Sequence, residues 1–300
     1  MQKDLAPYQK RKNMAEIGFV AGFLFIIVFV VLNVAFEYMT FYALFLIIGI
    51  LLVLFGIGLF QWTQRKFKQE FLKTYLSDLI ENGEFVPRKG FSRVQGLQPI
   101  DVYRSEFIEQ ADRFYSYDYL HGIIDGIKFE SSDVHLQRLE YRTYTDSKGN
   151  TRRKRQYVTY FKGRVFQFDF NKNFDGCVLV LERYRPRSSR KYKKVDLESV
   201  DFNKKFKTYT TKEHTAFYIL TPHFMESLMK VEKDNPGNVG FSFIDNKLYF
   251  ALHKNRSTFS LRPFRKIDDR YLKSIHDEVE MIYEMVDDLK LNRNIFKEDS

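Results

Sequence analysis

Two runs without a single charged residue, Ile17–Phe36 and Phe41–Phe60, dominate the hydrophobic pattern of the chain. A helix rises 1.5 Å per residue, so about 20 apolar residues cross the ~30 Å hydrocarbon core of a bilayer. Each run therefore predicts a transmembrane helix. Only Glu37, Tyr38, Met39 and Thr40 stand between them, so the two helices are expected to be antiparallel neighbours. The first run is longer than the apolar core of a signal peptide, and no small-residue cleavage site stands between Asn33 and Tyr38, so it reads as an anchor. Gly18 and Gly22 on the first helix, and Gly49 and Gly56 on the second, fit close packing of the pair or packing between protomers. Neither run holds an ionisable residue, which argues against a conduction path or a proton relay.

Beyond the second run the period stays helical. Phe67, Phe71, Leu72, Tyr75, Leu76, Leu79 and Ile80 form a stripe that Asn82-Gly83 ends. That stripe suits either the bilayer surface or docking on the domain that follows. A short helix is expected over Ser105–Arg113. The alternation then becomes strand-like over Val134–Tyr144 and Gln156–Phe170, with a turn at 146–150, and again over Cys177–Leu181. Thr221 can cap a helix beginning at Pro222, with Phe224, Met225, Leu228 and Met229 on its apolar face and Asn235-Pro236-Gly237 as its stop. Phe241–Ile244 and Leu248–Leu252 read as a hairpin turning at Asp245-Asn246-Lys247. A closing helix after Asp268-Asp269 carries Leu272, Ile275, Val279, Ile282, Val286 and Leu289 at heptad spacing. Fewer than three heptads favours docking on its own domain over a coiled coil.

The strands and helices do not alternate as βαβ units. The predicted fold is thus a two-helix transmembrane hairpin plus a soluble α+β domain with mainly antiparallel strands. Its expected divisions are a basic arm at 1–16, the hairpin at 17–60, an amphipathic connecting helix at 61–83, the α+β domain at 84–290 and a tail at 291–300.

Charge adds an orientation. Lys3, Lys10, Arg11 and Lys12 precede the first span, Arg65, Lys66 and Lys68 follow the second, and the turn between has neither Lys nor Arg. Positive flanks stay in the cytoplasm, which predicts a multi-pass protein of the cell membrane with both termini cytosolic. The net charge of +10, from 48 basic and 38 acidic residues, favours polyanionic surroundings. One cysteine, Cys177, excludes a disulfide framework within the chain and a multi-cysteine zinc site. Aromatics make up 17% of residues, a composition that suits packed strands.

Four segments are familiar as words: Phe114–Tyr119, Gly163–Phe166, Phe202–Phe206 and Ala216–Met225. Together they resemble a bacterial family catalogued as domain of unknown function 3137, over roughly Ser105 to Arg265. The resemblance implies a bacterial membrane protein with a short anchor before this domain. It brings no catalytic residues.

The residues themselves point to no cofactor, metal or catalytic set. Six histidines include no i, i+4 pair, and neither common phosphate-binding glycine motif occurs. Asn171, Asn173, Asp175, Gly176 and Glu182 fall at calcium-loop positions, but Asn replaces the first Asp and Val178–Leu181 is strand-like, so a plain turn accounts for them. Two basic segments stand out. Arg152, Arg153, Lys154 and Arg155 lie near a predicted hairpin tip, and Arg183, Arg185, Arg187, Arg190, Lys191, Lys193 and Lys194 form a block with no acid inside it.

Apart from Arg183, these are the candidate contacts to an anionic surface, either lipid headgroups or another membrane protein, each near-surface cation being worth about 1 kcal/mol. Nucleic acid is disfavoured by the tether. The leading expectation is a membrane-anchored cytosolic interaction or scaffold module without catalysis. The alternative is a membrane-tethered, hydrolase-like enzyme whose polar residues converge only in the fold, with Asp118, Asp125, His135, Asp169 and His214 as the groups to follow.

Overall fold

The computed structural model describes residues 5–35, 42–90, 92–145, 149–169, 174–235 and 237–288. The expected turn at 37–40, residues 146–148 of the next turn, and Phe170, Asn171, Asn173, Pro236, Leu289 and the tail lie outside the described residues. The chain divides into two compact units, Met1–Thr74 with Phe259–His276, and Tyr75–Thr258 with Asp277–Ser300.

The first unit is built on α1 (Ala6–Ala35) and α2 (Ala43–Lys66). Both are long and apolar enough, by length and composition, to cross a membrane. Gly22 lies against Gly49 and Ala15 against Gly56, so the helices run antiparallel and their glycines meet across this pair. A Cβ on Gly22 would stand 2.7 Å from the Gly49 carbonyl oxygen, and one on Gly56 2.7 Å from that of Ala15. The outward faces, among them Ile17, Leu24, Val31, Leu51 and Leu54, are exposed.

Helix α1 starts eleven residues ahead of the apolar run, so Lys10, Arg11 and Lys12 are helical. Tyr8 donates to Glu70 at 3.0 Å, and the Arg11 guanidinium stands 4.8 Å over the Trp62 ring. After α2 the helix widens into a π-helical segment, Phe67–Leu72, and continues as α3 (Lys73–Leu79). Phe67 meets Phe71, Tyr8 and Tyr271 with ring centroids 5.2 to 5.9 Å apart. Phe67, Phe71 and Leu72 in the first unit and Leu76 and Ile80 in the second are buried.

The second unit is a nine-stranded sheet. Its strands are β1 (Glu84–Val86), β2 (Arg113–Ile124), β3 (Ile127–Thr145), β4 (Thr151–Asp169), β5 (Val178–Leu181), β6 (Lys193–Val195), β7 (Lys207–Thr210), β8 (Asn238–Ile244) and β9 (Lys247–His253). All neighbours pair antiparallel in the order β1-β2-β3-β4-β9-β8-β5-β7-β6. Side chains alternate between faces. One face carries phenylalanine, with Phe166, Phe250 and Phe241 stacked at 5.3 and 4.9 Å. Helices α5 (Val200–Lys205) and α7 (Pro222–Asp234) cover it, through Phe206 against Phe241 and Phe224 against Phe243. The other face, with Val134, Leu136, Phe161, Val165, Leu179 and Ala251, packs under Leu97, Val102, Phe107 and Ile108.

Several elements match the reading of the sequence. Thr221 Oγ1 accepts from the Phe224 amide at 3.4 Å and Pro222 is the first residue of α7. Asp245 and Asn246 form the two-residue turn of the β8–β9 hairpin with φ of +51° and +56°, the left-handed pair such hairpins require. Helix α8 (Asp269–Asp288) buries Ile275, Val279, Ile282 and Val286, and its Glu278 and Glu284 pair with Lys254 and Lys230. It docks within its own protomer.

Others do not. No helix occupies Ser105–Arg113; the helix there is α4 (Pro99–Tyr103), closed by a reciprocal capping box between Gln98 and Asp101. Pro99 is that helix's first residue, where a missing amide costs nothing. Strand β2 escapes the alternation rule because a bulge at Asp118, with φ of +54°, breaks its register between Tyr117 and Leu120.

Candidate functional site

The β3–β4 hairpin outgrows its sheet. β2 pairs with β3 only as far as Gln137, and β9 pairs with β4 only from Gly163. A two-stranded ribbon is left, registered from Leu139↔Tyr157 to Thr145↔Thr151. Residues 141–145 and 149–157 are all exposed. Cross-strand partners share a face, so Tyr141, Thr143, Arg153 and Arg155 lie on one side and Arg142, Tyr144, Arg152 and Lys154 on the other.

The four predicted cations are thereby split two and two, and Arg142, outside the predicted set, joins them. Rings back the guanidiniums: Arg155 lies 5.9 Å over Tyr141, and Arg113 lies 3.4 Å over Tyr157 at the root. The charges also guard two open strand edges against pairing with other chains. This surface can attract anions from either side.

The second basic block has a different setting. It runs from the end of β5 into β6, an edge strand five places from β4 in the sheet order. Glu106, from a distant loop, receives both Lys191 at 3.0 Å and Arg187 at 3.8 Å. Arg187 also donates to the Tyr103 carbonyl at 3.0 Å. Lys193 pairs with Glu213 and Lys194 with Asp196. The block's missing acids come from elsewhere in the chain, and four of its six candidate residues are neutralised. Arg185 and Arg190 are exposed.

Below the ribbon, β4 carries Arg164 in the opposite environment. It is 1% exposed and donates to Asp133 Oδ1 at 3.3 Å, the Asp118 carbonyl at 3.2 Å and Ser131 Oγ at 2.9 Å. Asp133 Oδ2 accepts from the Thr258 amide at 2.9 Å, and Asp118 Oδ1 from the Arg88 amide at 3.3 Å. Nearby Tyr117 shares a 3.0 Å hydrogen bond with Ser257, and burial raises its pKa. This cluster is closed and structural.

The remaining groups named from the sequence each have their own setting. Asp125 forms the β2–β3 turn with φ of +48°. Asp169 pairs with Lys247 at 3.0 Å. His214 stands beside Thr215 on α6 (Glu213–Ile219). His135 stacks on Tyr115 and bonds Thr159 at 2.8 Å; burial, then the nearby Lys162, lower its pKa. Of the calcium-like set, Asp175 pairs with Lys212, while Glu182 binds Lys205 and accepts from the Val239 amide. Among the described residues no three His, Cys, Asp or Glu side chains gather as a metal-binding group. Burial raises the pKa of the Cys177 thiol, which favours its protonated form.

Residues 159–291 match the family described as Protein of unknown function (DUF3137). This stretch resembles DUF3137. The match takes in three of the four familiar segments, Gly163–Phe166, Phe202–Phe206 and Ala216–Met225, and leaves out Phe114–Tyr119. It extends past Arg265 through α8. No curated protein matches the chain. Among solved structures, the crystal structure of the mycobacterial trehalose monomycolate transport factor A, TtfA, is similar at a TM-score of 0.34 and 9% identity, over 61% of this chain and 76% of that one.

The DUF3137 match divides the candidate surface. The second block lies inside it, whereas Arg152–Arg155 precede it. Arg164 and its aromatic neighbours Phe166 and Phe168 belong to the matched region, Asp133 and Asp118 to the strands before it.

Proposed function

We propose that this chain is a membrane-anchored interaction module, with both termini cytosolic and no catalysis of its own. Its basic ribbon, Arg152–Arg155 with Arg142, contacts anionic headgroups of the inner leaflet. The observation that supports the anchor is the outer surface of the α1–α2 pair. Val34 is 85% exposed, Ile17 67% and Leu54 59%, within a continuous apolar girdle. Water tolerates no such area on a stable monomer, whereas lipid does, and every backbone group within the two helices is satisfied internally. The basic flanks and the Lys- and Arg-free turn support the orientation.

The test has two arms on the full chain. A reporter active only outside the cytosol, fused after Ser300, is expected to stay silent; strong activity overturns the orientation. In nanodiscs, a fluorophore on Thr145→Cys is expected to be quenched by labelled phosphatidylglycerol, with quenching lost as salt rises because exposed charges are screened. Quenching that ignores salt, or survives R152Q/R153Q/K154Q/R155Q, overturns the ribbon contact.

A further inference from the structure

We propose that the first unit holds a phospholipid site that selects an anionic headgroup, built where the loop 261–268 crosses the inner ends of α1 and α2. The inference rests on the anchor reading above but not on the ribbon. Two hollows meet there. One, of about 320 Å³, is a groove lined by Ala15, Phe19, Gly56, Ile57 and Phe60, with Glu16, Gln61 and Gln64 at its polar end. The other, of about 380 Å³, is lined by Arg262, Arg265, Lys266, Arg270 and Asp268. Phe264 lines both.

The loop is positioned, not loose. Leu261 and Ile267 are its buried anchors, and the five residues between them, Arg262-Pro263-Phe264-Arg265-Lys266, are all exposed. Glu16 Oε1 accepts from the Phe264 amide at 2.7 Å, and Gln9 Oε1 from the Ile267 amide at 2.6 Å. Phe264 sits at φ of +57°, a left-handed conformation that a bulky side chain rarely adopts, and its ring is 63% exposed. A protein that held this conformation for packing would bury the ring. Here the ring stands at the end of the apolar groove with cations on either side in sequence.

Among the described residues, Arg262, Arg265 and Lys266 have no acidic partner; Arg270 pairs with Asp268 at 3.5 Å. Glu16 does not spoil the balance, because Lys12 holds its carboxylate at 2.5 Å. Apolar groove and basic rim, joined at one aromatic, match one amphiphile: a diacyl lipid with a chain along Gly56 and Phe60 and its phosphate among the guanidiniums.

The test begins with alkaline-washed membranes and ends in native mass spectrometry of the detergent-solubilised full chain. Loss of the chain from the washed membranes overturns the anchor and this site together. With the chain recovered there, phosphatidylglycerol is expected to bind more tightly than phosphatidylcholine of the same chains. R262Q/R265Q/K266Q is expected to lose that preference by about fivefold per charge, while R152Q/R153Q/K154Q/R155Q keeps it. Phe264→Ala should weaken both lipids alike, and glycerol 3-phosphate should displace neither. Equal binding of the two lipids by the wild type, a preference that survives the triple change, or displacement by glycerol phosphate overturns the site.

Discussion

The two ends of β4 carry the same residue type to opposite purposes. At its start, Arg152, Arg153 and Arg155 stand in water on a ribbon with one partner strand, exposed on both faces. Twelve residues from Arg152, Arg164 is buried among Asp133, Ser131 and a carbonyl, with strands on both sides. The difference is set by neighbours: β2 and β9 flank the hairpin at one end and stop short of the other. An arginine that has lost its water must be held by hydrogen bonds, whereas one that keeps its water carries no such desolvation cost. The 183–194 block lies between these extremes: Arg187 and Lys191 share Glu106, Lys193 pairs with Glu213, and Lys194 with nearby Asp196.

The sharpest break of this contrast is Arg164→Met. It strands the Asp133 carboxylate in the core and is expected to destabilise by about 3–5 kcal/mol, read as a fall in Tm or in denaturant midpoint. Adding Asp133→Leu should recover only part of that loss, because the Thr258 amide then loses its acceptor. A single substitution within 1 kcal/mol of wild type would remove the distinction between the two ends. The ribbon gives the opposite expectation. R152Q/R153Q/K154Q/R155Q should move stability by no more than about 0.5 kcal/mol, the range of ordinary surface changes.

The smallest effect is expected midway along the hairpin. His135 pairs across the strands with Lys162, and partial burial with that cation lowers its pKa in the fold. The unfolded chain then takes up its proton first, near the ordinary histidine value of about 6.5. Its contribution to stability is complete above that pH and is lost as pH falls through the depressed folded value. His135→Gln should flatten the stability profile over this window. A profile identical to wild type would show that His135 is indifferent to its surroundings.

What was legible in the sequence depended on local causes. The α1–α2 pair follows from composition and four glycines, the β8–β9 turn from Asp245-Asn246, and the start of α7 from Thr221-Pro222. Each signal sits within a few residues of the structure it makes. Arg164 left no comparable trace, because its acid lies 31 residues earlier and only the strand register joins them. Glu106 is equally remote from the block it neutralises. The bulge at Asp118 hid β2. The ribbon's cations were readable as a run, but not their division between two faces. The basic loop at 262–266 went unread because its importance lies in what it crosses.

That crossing also fixes an order of assembly. The first unit draws on residues up to Thr74 and then on Phe259–His276, with Tyr75–Thr258 made in between. At ~5–20 residues per second, the helix pair leaves the ribosome about ten to forty seconds before the segment that completes it. During that interval Phe67 lacks Tyr271, and Glu16 and Gln9 lack the loop amides they accept. The nascent chain must shelter its aromatic stripe until that late segment has been translated.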